Sequence, residues 1–264
     1  MIIDLSGRRA LVTGSTAGIG FAIARELAAC AATVVVNGRT RDKVDVALDR
    51  IRAIAPDAAL DGIAADAATE EGAAALCADG RHYDILVNNL GIFEAKPFFE
   101  IGDDDWRRFF EVNVLSGIRL ARLCAPGMRD RGWGRIVFIS SESALNIPRE
   151  MIHYGMTKTA QLAVSRGLAE ELAGTGVTVN SVLPGPTRTE GVETWLEQMA
   201  QQQGKSLAEL EAEFFRTARP TSLIKRFIDP DEIADFVAHL VSPQGAAITG
   251  SGLRVDGGVV NYIV

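Results

Sequence analysis

Cysteine is scarce in this chain: Cys30, Cys77 and Cys124 are odd in number, far apart, and have no CxxC spacing or histidine company. That speaks against a disulfide framework or a zinc site and points to a reducing, cytoplasmic setting. Histidine is equally rare. His82, His153 and His239 stand at no metal-ligand spacing, which leaves them as surface or packing residues and gives no metal site. Basic charge is also short: 27 Lys and Arg face 34 Asp and Glu, a formal net charge of -7. Neither a nucleic-acid backbone nor an anionic membrane surface is therefore an expected partner. No apolar run reaches the roughly 18 residues a membrane span needs. Met1 to Leu5 lead straight into strand-like sequence, with no leader-type pattern.

What is present is apolar sequence, 47% of 264 residues, enough for a large core in one α/β domain over 1–264. Ala10 to Val12, Thr33 to Asn37, Ile85 to Asn88, Arg135 to Ser140 and Val177 to Val182 are continuous β-branched runs, the pattern of strands buried on both faces. Between them the spacing predicts helices at Gly18 to Ala29, Arg41 to Ala55, Glu70 to Ala78, Asp103 to Met128 and His153 to Ala173, with a later one at Pro230 to Leu240 and a last strand from Gly252. Such alternation means right-handed crossovers and a doubly wound parallel sheet with helices on both faces. Ligands bind such sheets beyond the carboxyl ends of the strands. Residues 187–226 break the alternation with two amphipathic pieces separated at Gln201 to Gly204, a small helical lid. Its Trp195, Phe214 and Phe215 either shape an apolar pocket or pack the lid onto the domain.

Gly14, Ser15, Thr16, Ala17, Gly18, Ile19 and Gly20 follow the first strand and open the first helix, the context in which a glycine loop binds a dinucleotide. Gly14 permits the turn, Gly18 lets the pyrophosphate approach the backbone, and Gly20 lets helix pack on strand while the helix N-terminus offers free N–H groups. The second strand ends Val36-Asn37-Gly38-Arg39, without the acid that binds a ribose 2′-hydroxyl in NAD enzymes. Gly38 removes the repelling group and Arg39 offers a fork for a 2′-phosphate, which favours NADP(H) over NAD(H). The other reading of Arg39 is a solvated turn residue.

Together with Asn88-Asn89-Leu90-Gly91, Tyr154-Gly155-Met156-Thr157-Lys158, Pro184-Gly185 and Val255-Asp256-Gly257-Gly258, this loop resembles the short-chain dehydrogenase/reductase family, in the branch that includes the 3-oxoacyl-[acyl-carrier-protein] reductases. The resemblance implies a Rossmann-type sheet of seven strands and a hydride exchange between nicotinamide and a small-molecule carbonyl or alcohol. It assigns Tyr154 as acid or base, Lys158 as its partner and ribose ligand, Ser141 as donor to the substrate oxygen, and Asn113 as the holder, through its backbone, of a relay water. Tyr154 and Lys158, four apart on a helix, share a face, and an ammonium there favours phenolate. Ser140, Ser141 and Ser143 are three hydroxyls on one strand exit, and it is the resemblance that selects Ser141.

The resemblance also places Asp66 and Ala67 at the adenine, Asn89 and Gly91 at the adenosine ribose, and Thr187 and Thr189 at the carboxamide, and it implies a homotetramer. Leu90, Phe138 and the loop Ser141 to Leu145 depart from the family pattern beside the pocket. A regulator that binds the dinucleotide without turnover, or a scaffolding subunit, is the alternative. The intact set of Ser141, Tyr154 and Lys158 argues against the regulator.

Overall fold

The apolar runs become strands whose alternate residues enter opposite cores. In β1 (Arg9–Val12) Ala10 and Val12 join one cluster and Leu11 the other; in β2 (Thr33–Gly38) Val34 and Val36 divide from Val35 in the same way. A strand buried on both faces needs helices on both sides, and the chain supplies them. In this computed structural model, which describes residues 2–263, the first cluster packs α1 (Gly18–Ala29), α2 (Arg41–Ile54) and α9 (Pro230–Val241) on one face. The second packs α3 (Glu70–Leu76), α5 (Ser116–Asp130) and α6 (Ile152–Glu171) on the other.

Among the described residues seven strands pair, all in parallel, in the order β3-β2-β1-β4-β5-β6-β7. The remaining strands are β3 (Leu60–Ala64), β4 (Ile85–Asn88), β5 (Gly134–Ile139), β6 (Val177–Pro184) and β7 (Gly252–Val255). Strand order reverses between β1 and β4, so the crevice beyond their carboxyl ends is the place where such a sheet receives a ligand.

Two elements differ from the residue pattern. β3 is an edge strand of Leu60, Asp61, Gly62, Ile63 and Ala64, none of them fully buried, and so carries no apolar run to read. The long helix expected from Asp103 to Met128 is divided into α4 (Asp103–Phe110), a π-helical turn (Glu111–Leu115) and α5. A π turn inserts one residue into the helix and is most often found at functional sites. Here Asn113 bonds the backbone of Ile92 both ways and Ser116 Oγ donates to the Val112 carbonyl at 2.6 Å, which holds the widened turn.

The amphipathic pieces after β6 form α7 (Glu190–Gln203) and α8 (Leu207–Thr217), with Gly204 in the left-handed region between them. Leu196, Leu210, Phe215 and Phe227 make a small core of their own, against which Phe214 packs. No described helix is long and apolar enough to cross a membrane.

Candidate active site

The glycine loop is built by a mesh of short contacts. Gly14 and Gly18 lie at φ of 60° and 57°, where a side chain is strained. Ser15 is turned inward: its hydroxyl donates to the Val12 carbonyl and accepts from the Asn37 amide. Asn37 spends its side chain on the Ile63 and Ala65 carbonyls and the Gly14 N–H, tying β2, β3 and the loop together. Asn89 does the same from β4, donating to the Thr13 and Gly14 carbonyls. The side chains of these three residues thus shape the loop from behind. A Cβ on Gly20 would stand 2.4 Å from Asn89 Nδ2 and 2.6 Å from the Gly14 carbonyl. Gly20→Ala is therefore expected to cost about 1–3 kcal/mol of stability and to weaken dinucleotide binding. A thermal melt and a nucleotide titration check both.

At the mouth of this loop the α1 N-terminus already holds an anion: the Gly18 N–H donates to the Glu190 carboxylate, from the first turn of α7, at 2.8 Å. The neighbouring cavity, about 400 Å³, is lined by Gly14, Thr16, Arg39, Lys43, Asp66 and Leu90 among others. Arg39 and Lys43 are both exposed on its wall, at the start of α2. Lys43 is the second basic group that sequence reasoning missed, since only the turn of a helix brings it back to Arg39. This wall, with its two cations, offers charge-assisted contacts to a phosphate group. Ala67 is buried behind exposed Asp66, whose carboxylate accepts from the Ala68 N–H.

Beyond β5 the three serines part ways. Ser140 Oγ donates to the Lys158 carbonyl at 2.9 Å and so is spent on holding α6. Ser141 caps the short turn Glu142–Ala144, its Oγ accepting from the Ser143 N–H at 3.1 Å, and its side chain stands beside the Tyr154 phenol. Lys158 Nζ lies 5.6 Å from the Tyr154 ring centroid and donates to the Ile139 carbonyl at 2.9 Å. Phe93 meets the Tyr154 ring edge to face, with centroids 6.3 Å apart.

Burial governs both titrations. It pushes Tyr154 up to about 12, against a smaller opposite effect of the neighbouring Ser141 hydroxyl, and brings Lys158 down to about 7. The phenolate expected from an adjacent ammonium is thus outweighed by desolvation, and Tyr154 holds its proton at neutral pH. Gly91 passes close over Lys158 and Asn113, for a Cβ there would sit 3.3 Å from Lys158 Nζ and 3.5 Å from Asn113 Oδ1. The Asn113 side chain is fully engaged by Ile92 and Thr157. Its carbonyl accepts from Gln161 Nε2 at 2.6 Å, a contact that the residue pattern does not announce.

The loop after β6 brings Thr187 and Thr189 to the same crevice. Thr187 is buried with its hydroxyl on the Gly185 carbonyl, and Thr189 caps α7. Thr189 also touches the glycine loop, its Cγ2 standing 3.3 Å from the Cβ position of Gly18. His153 is fully buried, 4.1 Å from the Phe109 ring, as a packing residue. No cluster of metal-binding side chains occurs among the described residues.

The family model described as enoyl-(acyl carrier protein) reductase matches residues 14–260. An uncharacterized oxidoreductase of Bacillus subtilis, YvaG, is 49% identical over 263 residues, covering 100% of both chains. The D-beta-hydroxybutyrate dehydrogenase of Rhizobium meliloti is 31% identical over 255 residues, 95% of this chain and 98% of its own. Among solved structures, L-sorbose reductase from Gluconobacter frateurii, complexed with NADPH and L-sorbose, is similar with a TM-score of 0.93 at 31% identity and 100% coverage of both chains.

Proposed function

This chain belongs to the short-chain dehydrogenase/reductase family, and from that premise we propose that it is an NADP(H)-preferring reductase of a small ketone, with Tyr154, Ser141, Lys158 and Asn113 as its proton-handling set. The observation that carries the reading is the convergence of Ser141 and Lys158 on Tyr154, at the sheet edge where the glycine loop opens α1. The nicotinamide, when bound, supplies or accepts the hydride. Tyr154 enters reduction with its proton in place, because burial keeps the phenol neutral, and delivers it to the substrate oxygen. Ser141 has one lone pair filled by the Ser143 N–H, and its O–H, beside the Tyr154 phenol, is placed to hold that oxygen as negative charge develops. Lys158, near 7, can return a proton to Tyr154 at neutral pH and be recharged by a water that takes its place at the Asn113 carbonyl. The reading takes the chain as one domain, with α7 and α8 as the cover of the substrate side.

The preference for NADP(H) is supported by Arg39 and Lys43 at the cavity wall and by the missing acid at Gly38. Titration with NADPH and NADH, followed by nicotinamide fluorescence, should give tighter binding of NADPH. L-sorbose and a 3-oxoacyl thioester can then be offered to the NADPH complex, and D-beta-hydroxybutyrate to the NADP+ complex. Turnover of any of them supports the enzyme reading, whereas binding of neither nucleotide would sink it.

A further inference from the structure

The catalytic serine is followed by a buried acid. The Glu142 side chain is 4% exposed, and its Oε1 accepts from Arg219 Nε at 3.0 Å, across 77 positions of sequence. Arg219 lies just past the end of α8 and is itself only 12% exposed. Its amide donates to the Phe214 carbonyl and its guanidinium stands 6.0 Å from the Phe214 ring, so it is rooted in the lid core. A second acid, Glu150, lies 3.7 Å from Arg219 Nη1 on the loop that leads into α6. One residue at the end of the lid thus grips the connection between β5 and α6 at two points, just ahead of Tyr154.

A buried ion pair is a poor source of stability, since the desolvation of two charges offsets most of their attraction. What it does well is fix geometry. Glu142 is the first residue of the turn that Ser141 caps, and the Ser141 hydroxyl takes its direction from the Ser143 N–H of that same turn. Moving Glu142 therefore re-aims Ser141. Burial raises the Glu142 pKa, Arg219 and less strongly Ser143 oppose that rise, and Glu142 Oε2 has no hydrogen-bond partner among the described residues, so the arginine is the main group that holds this carboxylate in place.

We propose that Arg219 is a positioning residue: carried at the end of the lid, it sets the Ser141 hydroxyl through Glu142, so that the donor to the substrate oxygen is aligned only when the lid is docked. This rests on the reading of Ser141 as that donor. The test uses the whole protein with NADPH and a reducible ketone, and compares Arg219→Gln, Arg219→Lys, Glu142→Gln and the double Gln variant.

Arg219→Gln should bind NADPH within about twofold of the unaltered protein yet lose about 100-fold in kcat, the size of a misplaced oxyanion donor. Arg219→Lys should recover part of that loss. The double variant should stay as slow as Arg219→Gln to within about threefold, because both residues act through one path. A folded Arg219→Gln protein with near-normal kcat overturns the proposal. So does a double variant restored to full kcat, which would mean that only the stranded Glu142 charge had mattered. Should Arg219→Gln fail to fold, the double variant, which strands no charge, decides between the same two outcomes. Failure of the enzyme reading itself would show separately, as no oxidation of NADPH by any ketone in the unaltered protein.

Discussion

Tyr154→Phe is expected to slow carbonyl reduction about a thousandfold, within the range that a positioned general acid contributes, while NADPH affinity changes by less than about twofold. The phenylalanine keeps the ring, its edge contact with Phe93 and the packing against Lys158, and removes only the hydroxyl beside Ser141. The loss therefore belongs in kcat rather than in binding. The pH profile supplies a second reading. Lys158 is protonated below its lowered value of about 7 and neutral above it, whereas Tyr154 holds its proton up to about 12. With the relay drawing on Lys158, kcat/KM for reduction should decline as pH rises through about 7, far below the point at which Tyr154 would ionise. Retained turnover in Tyr154→Phe would remove the tyrosine from its role. A profile flat to high pH would leave the tyrosine in place and remove Lys158 from the relay.

Arg39→Ala is expected to weaken NADPH binding by about 10- to 100-fold, the equivalent of roughly 1.5–3 kcal/mol for hydrogen bonds to a charged group, and to leave NADH binding nearly unchanged. Arg39 stands exposed on the cavity wall, so the loss is set by what it holds and not by the fold. Lys43→Ala should act in the same direction and less strongly, as a point charge without the planar fork. Paired fluorescence titrations of each variant decide the matter. Equal losses for the two nucleotides would mean that Arg39 serves the common pyrophosphate or the loop, and the NADP(H) preference would have to come from elsewhere.

The central strands and the glycine loop were legible in the sequence because continuous apolar runs and loop position report burial directly. β3 was not, since an edge strand with Asp61 and Gly62 carries no such run, and only the family likeness implied it. The π turn at Asn113 is invisible to a helical period, which cannot register one inserted residue. The inward roles of Ser15, Asn37 and Asn89 are hidden for another reason: a polar residue beside a ligand loop reads as a ligand contact, whereas here each is spent on backbone groups. The choice among Ser140, Ser141 and Ser143 needed the register of α6 against β5, which puts the Lys158 carbonyl on Ser140. The Glu142 and Arg219 pair spans 77 positions and leaves no local trace.

Gly38 has a consequence for how cofactor choice could ever change. A Cβ at this position would lie 2.5 Å from Thr16 Cγ2 and 3.3 Å from Val44 Cγ2. The single exchange that would install an NAD-type acid at the end of β2 thus collides with the glycine loop before its carboxylate can meet a ribose. Thr16 has to turn its methyl aside or give way to a smaller residue such as serine. The two positions are thus coupled, and a smaller residue at position 16 eases the entry of a side chain at position 38.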